Sequence, residues 1–333
     1  MQNFCTLFNS FYLSRGLAMY YSLLKQSSDF HLYIFAFDDD CHATLSKMDL
    51  SNATIISLNE FETPELLAIK SSRTPGEYCW TCTASTIWHC IHTFSLDHCT
   101  YIDADLLFFS DPKILTDEMG NNAVLITEHR YNPDYDQSEL SGIYCVQFIT
   151  FKNTEQGLKV LDWWRKACIT WCYNRFEDGK FGDQKYLDDW TTRFEGVHVM
   201  QHTGGGVAPW NCKTYSYERI AGQIMVKSPG SEAVPLVFYH FHDFRYSASE
   251  SFRLTAEQYL LNSDAIRLIY GAYANALRDA ESKILLTDKS AVFHENLLQL
   301  TWIKISLSRQ IHYLLKGRYK NYSKKHTLQS NLQ

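Results

Sequence analysis

Two carboxylates stand two residues apart in "YIDADLLFFSDP", residues 101–112. Asp103 and Asp105 interrupt an apolar run that heads for the core, where an unpaired charge is costly. A positive partner is therefore expected. An acid-x-acid pair at a strand end turns both carboxylates toward one hard cation once the chain bends. Mg²⁺ or Mn²⁺ takes one or two carboxylates together with substrate phosphates. Such an ion bridges a diphosphate and neutralises the charge that builds on it as a bond breaks.

The surrounding text predicts the elements that must position this pair. Residues 3–8, 31–37 and 53–58 read as strands, and 13–26 reads as an amphipathic helix with Leu17, Tyr20, Tyr21 and Leu24 on one side. A short helix begins at 64–69, a longer one covers 77–94, and "TYIDADLLFF" is expected as one strand. Further strands are expected at 123–130 and 143–151, then a helix at 155–176 whose stripe of Leu158, Leu161, Trp164, Ala167, Cys168 and Trp171 marks core. "TGGGVAPWN" (203–211) reads as a flexible loop, and "PLVFYHFHDF" (235–244) as a strand ending in two histidines. Strands alternating with helices predict an α/β fold, with a mixed, mostly parallel sheet flanked by helices. Ligands of such sheets sit at the carboxyl ends of strands. Asp103 and Asp105 fall at one such end, and Asn9 and Tyr12 at another. After about residue 250 the pattern becomes helical, so 1–250 is expected as one α/β domain and 251–333 as a helical C-terminal region.

Composition narrows the class. The chain has 333 residues, 45% apolar and 15% aromatic, and a net charge of −6, so bulk electrostatics do not make it a nucleic-acid binder. The N-terminus lacks a basic segment with a small-residue cleavage site, and no apolar run approaches ~18 residues, so a cytoplasmic location is expected. The ten cysteines read as reduced, mostly buried thiols. Cys79 and Cys82 form a CxxC, but no second well-spaced ligand pair accompanies it, which favours one face of a core helix over zinc. From Lys304 to His326 no acidic residue occurs, and Lys304, Arg309, Lys316, Arg318, Lys320, Lys324 and Lys325 alternate with Trp302, Tyr313, Tyr319 and Tyr322. Such a tail suits peripheral attachment to an anionic membrane surface, here the inner face.

The order of pieces resembles the GT-A glycosyltransferases, and within them the family-8 group of bacterial lipooligosaccharide galactosyltransferases and glycogenin. "TLFNSFYLSRGLAMYYSLL", "YIDADLLFFSDP", "GIYCVQFITFKN", "GDQKYLDDW" and "VFYHFHDF" carry the resemblance, over roughly residues 3–245. It implies a GT-A (Rossmann-like) fold, a nucleotide-diphosphate sugar donor of the UDP type, Mn²⁺ or Mg²⁺, a glycan or glycolipid acceptor, and retention at the anomeric carbon. It places Leu7, Phe8, Asn9 and Tyr12 at uridine, Asp103 at ribose or metal, Asp105 at the metal, and Asp183 and Gln184 beneath the transferred sugar. His240 matches the third metal ligand, with His242 and then His202 as rivals. His202 opens "HTGGGVAPW", which has the family's terminal spacing with Ala208 where lysine is usual, and Arg73, Arg130 and Lys213 are the replacement cations. Cys145 and Gln147 stand where the family often has Asn and Gly. An inverting reaction would need a carboxylate base, for which Asp183, Asp188 and Asp189 are candidates.

Three other readings compete. In haloacid-dehalogenase phosphatases the acid pair opens the first strand, often with Thr or Val after it. Here it lies a hundred residues in and Leu106 follows. A sugar-phosphate nucleotidyltransferase usually carries a Gly-rich basic loop near its start, whereas "LFNSFYLSRG" has one Arg and one Gly. A catalytically inactive nucleotide-sugar-binding protein is the third.

Overall fold

The computed structural model describes residues 1–248, 251–295, 301–303 and 306–324. Strands β1 (Gln2–Phe8), β2 (Phe30–Ala36), β3 (Ala53–Ser57), β4 (His98–Ile102), β6 (Val124–Glu128), β7 (Tyr144–Lys152) and β8 (Val197–Val199) form one sheet in the order β3-β2-β1-β4-β7-β6-β8. Its pairs are parallel except where β7 meets β4 and β6. The sheet is thus mixed and mostly parallel, as predicted.

Both faces are covered, which explains the near-continuous apolar strands. Phe4, Phe8, Leu32 and Ile34 point into one core, with Leu17, Tyr20 and Leu23 of the Leu13–Gln26 helix. Tyr273, Leu277 and Ile284 of the Gly271–Thr287 helix belong to that same core. Cys5, Leu7, Tyr33 and Phe35 point the other way, against Cys82, Ile87 and Cys90 of the Pro75–Thr93 helix and Trp164 of the Glu155–Thr170 helix. The Pro75–Thr93 helix starts two residues earlier than predicted because Thr74 and Glu77 close a reciprocal capping box and Pro75 follows.

Several predicted elements are corrected. "TYIDADLLFF" is not one strand. The chain turns after Ile102, with Leu106 N–H reaching Asp103 O, and restarts as β5 (Leu106–Phe108), which leaves the main sheet. The 155–176 helix ends at Thr170, where Trp171 is extended, and Asp178 and Gly179 make a turn at positive φ. The 235–244 segment is not one strand: after a hairpin of β9 (Ser216–Ile220) and β10 (Gln223–Lys227), Pro235 ends the edge strand β11 (Val234–Pro235), and β12 (Phe238–His240) pairs antiparallel with β5. Past residue 244, β13 (Arg245–Tyr246), β14 (Ser251–Arg253) and β15 (Tyr322–Lys324) make a small antiparallel sheet, of which β14 and β15 lie inside the region expected to be helical.

The glycine-rich 203–211 segment is packed rather than flexible, and residues 204–211 are all buried. A Cβ on Gly204 would lie 2.0 Å from Pro235 O, on Gly205 2.4 Å from Met200 Sδ, and on Gly206 2.7 Å from Thr127 Cγ2. The glycines serve close backbone approach.

No helix among the described residues is long and apolar enough to cross a membrane. Lys304 and Lys325 lie outside the described residues. The Leu307–Leu315 helix presents Leu307, Ile311, Leu314 and Leu315 to solvent, Leu315 at 80% exposure.

Candidate active site

The site is built where β4 ends. β1 and β4 are parallel neighbours, so the loop after Phe8 and the turn after Ile102 emerge on the same edge of the sheet. β5 then pairs with β12 so that His240 lies opposite Leu106, and Phe241 N–H donates to Asp105 O at 3.0 Å. This ladder brings residues far apart in the chain together. His240 Nε2 lies 3.1 Å from Asp105 Oδ1 and 3.7 Å from Asp103 Oδ2.

One ligand atom from each of Asp103, Asp105 and His240 lies within 4.8 Å of the others. Tyr101 Oη–H donates to Asp103 Oδ1 at 3.0 Å, which leaves Oδ2 facing the histidine. Burial and Asp103 both raise the Tyr101 phenol well above its ordinary range, so it keeps its proton. Burial, with the negative charge of Asp105, raises the Asp103 carboxyl despite the offset from His240. Burial would raise Asp105 as well, but the charge and hydrogen bond of His240 hold it below the usual carboxylate range. Burial works against the His240 imidazolium, yet the facing carboxylates outweigh it and raise its pKa. Two acids aimed at one ring nitrogen need a positive charge between them. Two carboxylate oxygens and one imidazole nitrogen suit Mn²⁺, and the oxygens alone suit Mg²⁺. The donor set therefore fits the divalent ion that the sequence implied.

His242 is exposed, its ring 5.7 Å from that of His240, and it packs on Trp210. His202 lies apart from this cluster. Its N–H donates to Glu118 Oε2, and its Nδ1 accepts from Gly204 N–H. Ala208 is fully buried, and its N–H donates to Asn211 Oδ1. The three proposed replacement cations do not converge on the acid pair. Arg73 stacks on Tyr173 and donates to Ile169 O. Lys213 pairs with Asp134 at the surface. Arg130 donates to Gly205 O and His202 O, so it fixes the glycine segment.

On the β1 side, Leu7 and Phe8 are buried at the strand end, and Asn9 and Tyr12 are half-buried just beyond it. Asn9 Oδ1 accepts from Tyr12 N–H and caps the short turn between them. Tyr12 is near enough to Asp105 for that charge to raise its phenol, secondarily to burial. Arg15 covers one face of the Tyr12 ring at 4.6 Å. Arg15 is 1% exposed, and its guanidinium donates to the carbonyls of Phe11, Phe244 and Phe293. Gly16 faces Phe8, whose ring would lie 2.4 Å from an added Cβ. The single Arg and Gly of this loop are thus spent on packing, unlike a basic triphosphate-binding loop.

Asp183 sits inside the same edge. Burial, then the charge of Asp103, pushes its carboxyl up to about 7, while Thr83 hydrogen-bonds it in its charged form. Its carbonyl accepts from Trp164 Nε1–H at 2.9 Å. Gln184 is anchored by Nε2–H donation to Ser141 O. Asp188 accepts from Ile143 N–H and pairs with Lys185, and Asp189 pairs with Arg193 at the surface. Of the three base candidates, Asp183 is the one buried within reach of the charge of Asp103.

Some contributors went unread in the sequence. Asp38, at the end of β2, accepts from Ser10 N–H, Ser10 Oγ–H and Cys41 N–H, and so fixes the loop after β1. Its "DDD" run was the available signal. Tyr101 was visible inside the quoted motif, but Thr83 carried no signal. Of the CxxC pair, Cys82 is buried in the Pro75–Thr93 helix and Cys79 is half-buried. The thiols that meet are Cys5, Cys90 and Cys99, brought from β1, the helix and β4, which no local spacing could show. A shallow cleft bounded by Asp97, His98, Lys152 and Thr154 opens at the other end of β4, away from Asp103.

The sheet order, with β7 as its one reversed strand, makes a mixed, mostly parallel α/β fold that carries the acid pair at the end of β4. No family model matches the chain. It is 30% identical over 275 residues to the uncharacterized protein YfnD of Bacillus subtilis (strain 168), across 81% of this chain and 87% of YfnD. The chain belongs to the YfnD family. It is also 29% identical over 250 residues to YfnF of the same organism, across 73% of this chain and 81% of YfnF. Among solved structures, an active-site mutant of LgtC aligns at a TM-score of 0.48 with 10% identity, covering 84% of this chain and 95% of that one. The galactosyltransferase LgtC with donor and acceptor sugar analogs aligns at 0.47 with 9% identity, covering 86% and 96%. Mouse xyloside xylosyltransferase 1 aligns at 0.41 with 10% identity, covering 62% and 87%.

Proposed function

We propose that this protein is a metal-dependent glycosyltransferase that moves a sugar from a UDP-type nucleotide sugar to a glycan or glycolipid acceptor with retention. The observation that carries the reading is the convergence of Asp103, Asp105 and His240 at the carboxyl end of β4, beside the loop that holds Asn9 and Tyr12. A bound divalent ion supplies charge stabilisation for a departing diphosphate. Asp105 and His240 hold that ion, and Asp103 shares it or meets the ribose. Tyr12, half-buried just beyond β1 with Arg15 over one face of its ring, is the aromatic offered to the base. Asp183, kept protonatable by burial, lies beneath the transferred sugar with Gln184 beside it. The exposed leucines and basic residues of the Leu307–Leu315 helix and its surroundings support attachment to the inner face of a membrane, where a lipid-linked acceptor resides.

Thermal melting with UDP and Mn²⁺, alone and together, tests the reading. A ligand at a hundred times its Kd adds ~3 kcal/mol of stability, which reads as a rise of several degrees. The rise should need both ligands and vanish in Asp105→Ala. A wild-type protein whose melting ignores the UDP–Mn²⁺ pair refutes the reading. Turnover of a panel of UDP-sugars then separates an active enzyme from a binding protein.

A further inference from the structure

The residue beneath the candidate metal centre is Gln147, which is fully buried in β7. Its main chain and side chain support two different ligands. Gln147 O accepts from Asp103 N–H at 3.1 Å, just where β4 turns. Gln147 Oε1 lies 2.8 Å from His240 Nδ1. An amide oxygen only accepts, so in this arrangement Nδ1 carries the proton. In the neutral ring, the form that ligates a metal, the lone pair of His240 is then on Nε2, the nitrogen that faces Asp105 and Asp103. The reversed amide would donate to Nδ1 and leave the proton on Nε2, which would close that position to a cation.

Gln147 Nε2 has no hydrogen-bond partner among the described residues, although it is buried. An unmatched buried amide costs about 1–3 kcal/mol. An apolar residue would avoid that cost on a strand whose other buried positions include Val146, Phe148 and Ile149. The amide is explained by what its oxygen does for His240.

We infer that Gln147 is a positioning residue: it fixes the tautomer and ring orientation of His240 so that Nε2 can ligate a divalent cation. This rests on the metal reading of the site. Partners of this kind orient ligating histidines, and their loss typically weakens metal binding by about 10- to 100-fold.

The test is Mn²⁺ titration of the full chain in the presence of UDP, read by the loss of the free-ion electron paramagnetic resonance signal. Wild type, Gln147→Leu and Gln147→Glu are compared, with circular dichroism and melting to verify the fold. Gln147→Leu removes the acceptor, and its Mn²⁺ Kd should rise about 10- to 100-fold. Gln147→Glu, once ionised, can only accept, and at a pH that ionises it the variant should bind Mn²⁺ at least as tightly as wild type. A folded Leu variant with wild-type affinity overturns the inference while leaving the metal site intact. A folded Glu variant that binds as weakly as the Leu variant should overturns it too, and it remains decisive if Leu does not fold. If wild type itself takes up no Mn²⁺, the reading of the site fails, and the inference with it.

Discussion

Replacing Asp183 with Asn should remove a pH-dependent penalty from the fold. Asp183 is 6% exposed, and burial with the nearby charge of Asp103 lifts its carboxyl from an ordinary 3.8 to about 7. A raised carboxyl pKa means that the folded state holds its proton longer than the unfolded chain does. The stability this group contributes is fully present below the unfolded value and is lost as pH rises toward the folded one. Three pH units at ~1.4 kcal/mol each set an upper limit of ~4 kcal/mol, of which ~2–3 kcal/mol falls between pH 5 and pH 8. Asn has the same shape and cannot ionise, so Asp183→Asn escapes this loss. Any unmatched hydrogen bond of the new amide adds an offset that does not vary with pH. Urea unfolding of both proteins in EDTA, at pH 5 and pH 8, measures the difference directly. The variant should gain ~2–3 kcal/mol on wild type between the two pH values. Parallel pH profiles would show that Asp183 is solvated as an ordinary carboxylate, and the argument for a buried acid at the sugar position would be wrong.

Other predictions concern the opposite pH limb and the surface. His129 is 3% exposed, and burial pushes its pKa down to about 3. The unfolded chain therefore takes up a proton first, and stability should fall as pH drops below ~6.5, by at most ~1.4 kcal/mol per unit. A His129→Asn variant should show a shallower fall between pH 6 and pH 5, and curves of equal slope would refute this. Leu307, Leu314 and Leu315 are 72%, 53% and 80% exposed. Changing all three to Ser should leave melting unaltered yet lower binding to phosphatidylglycerol vesicles by about tenfold or more. Unchanged vesicle binding would rule out this helix as the attachment element.

The sequence alone determined the layered fold and the place of the acid pair. Continuous apolar strands such as "HLYIFAF" must be covered on both faces, and amphipathic helices between them supply that cover. A charged pair ending such a strand reaches the edge where ligands bind, whatever the rest of the chain does. The choice among three histidines was of another kind. The resemblance put His240 ahead of His202, which has the family's terminal spacing, but only the antiparallel pairing of β5 with β12 brings His240 beside Asp105, and pairing between distant segments leaves no periodic trace. For the same reason Gln147 read only as a departure from a motif, and only the β4–β7 ladder shows it beneath His240. The glycines at 204–206 read as freedom because glycine is permissive. Tertiary packing decided that they are buried, since what matters there is the missing Cβ.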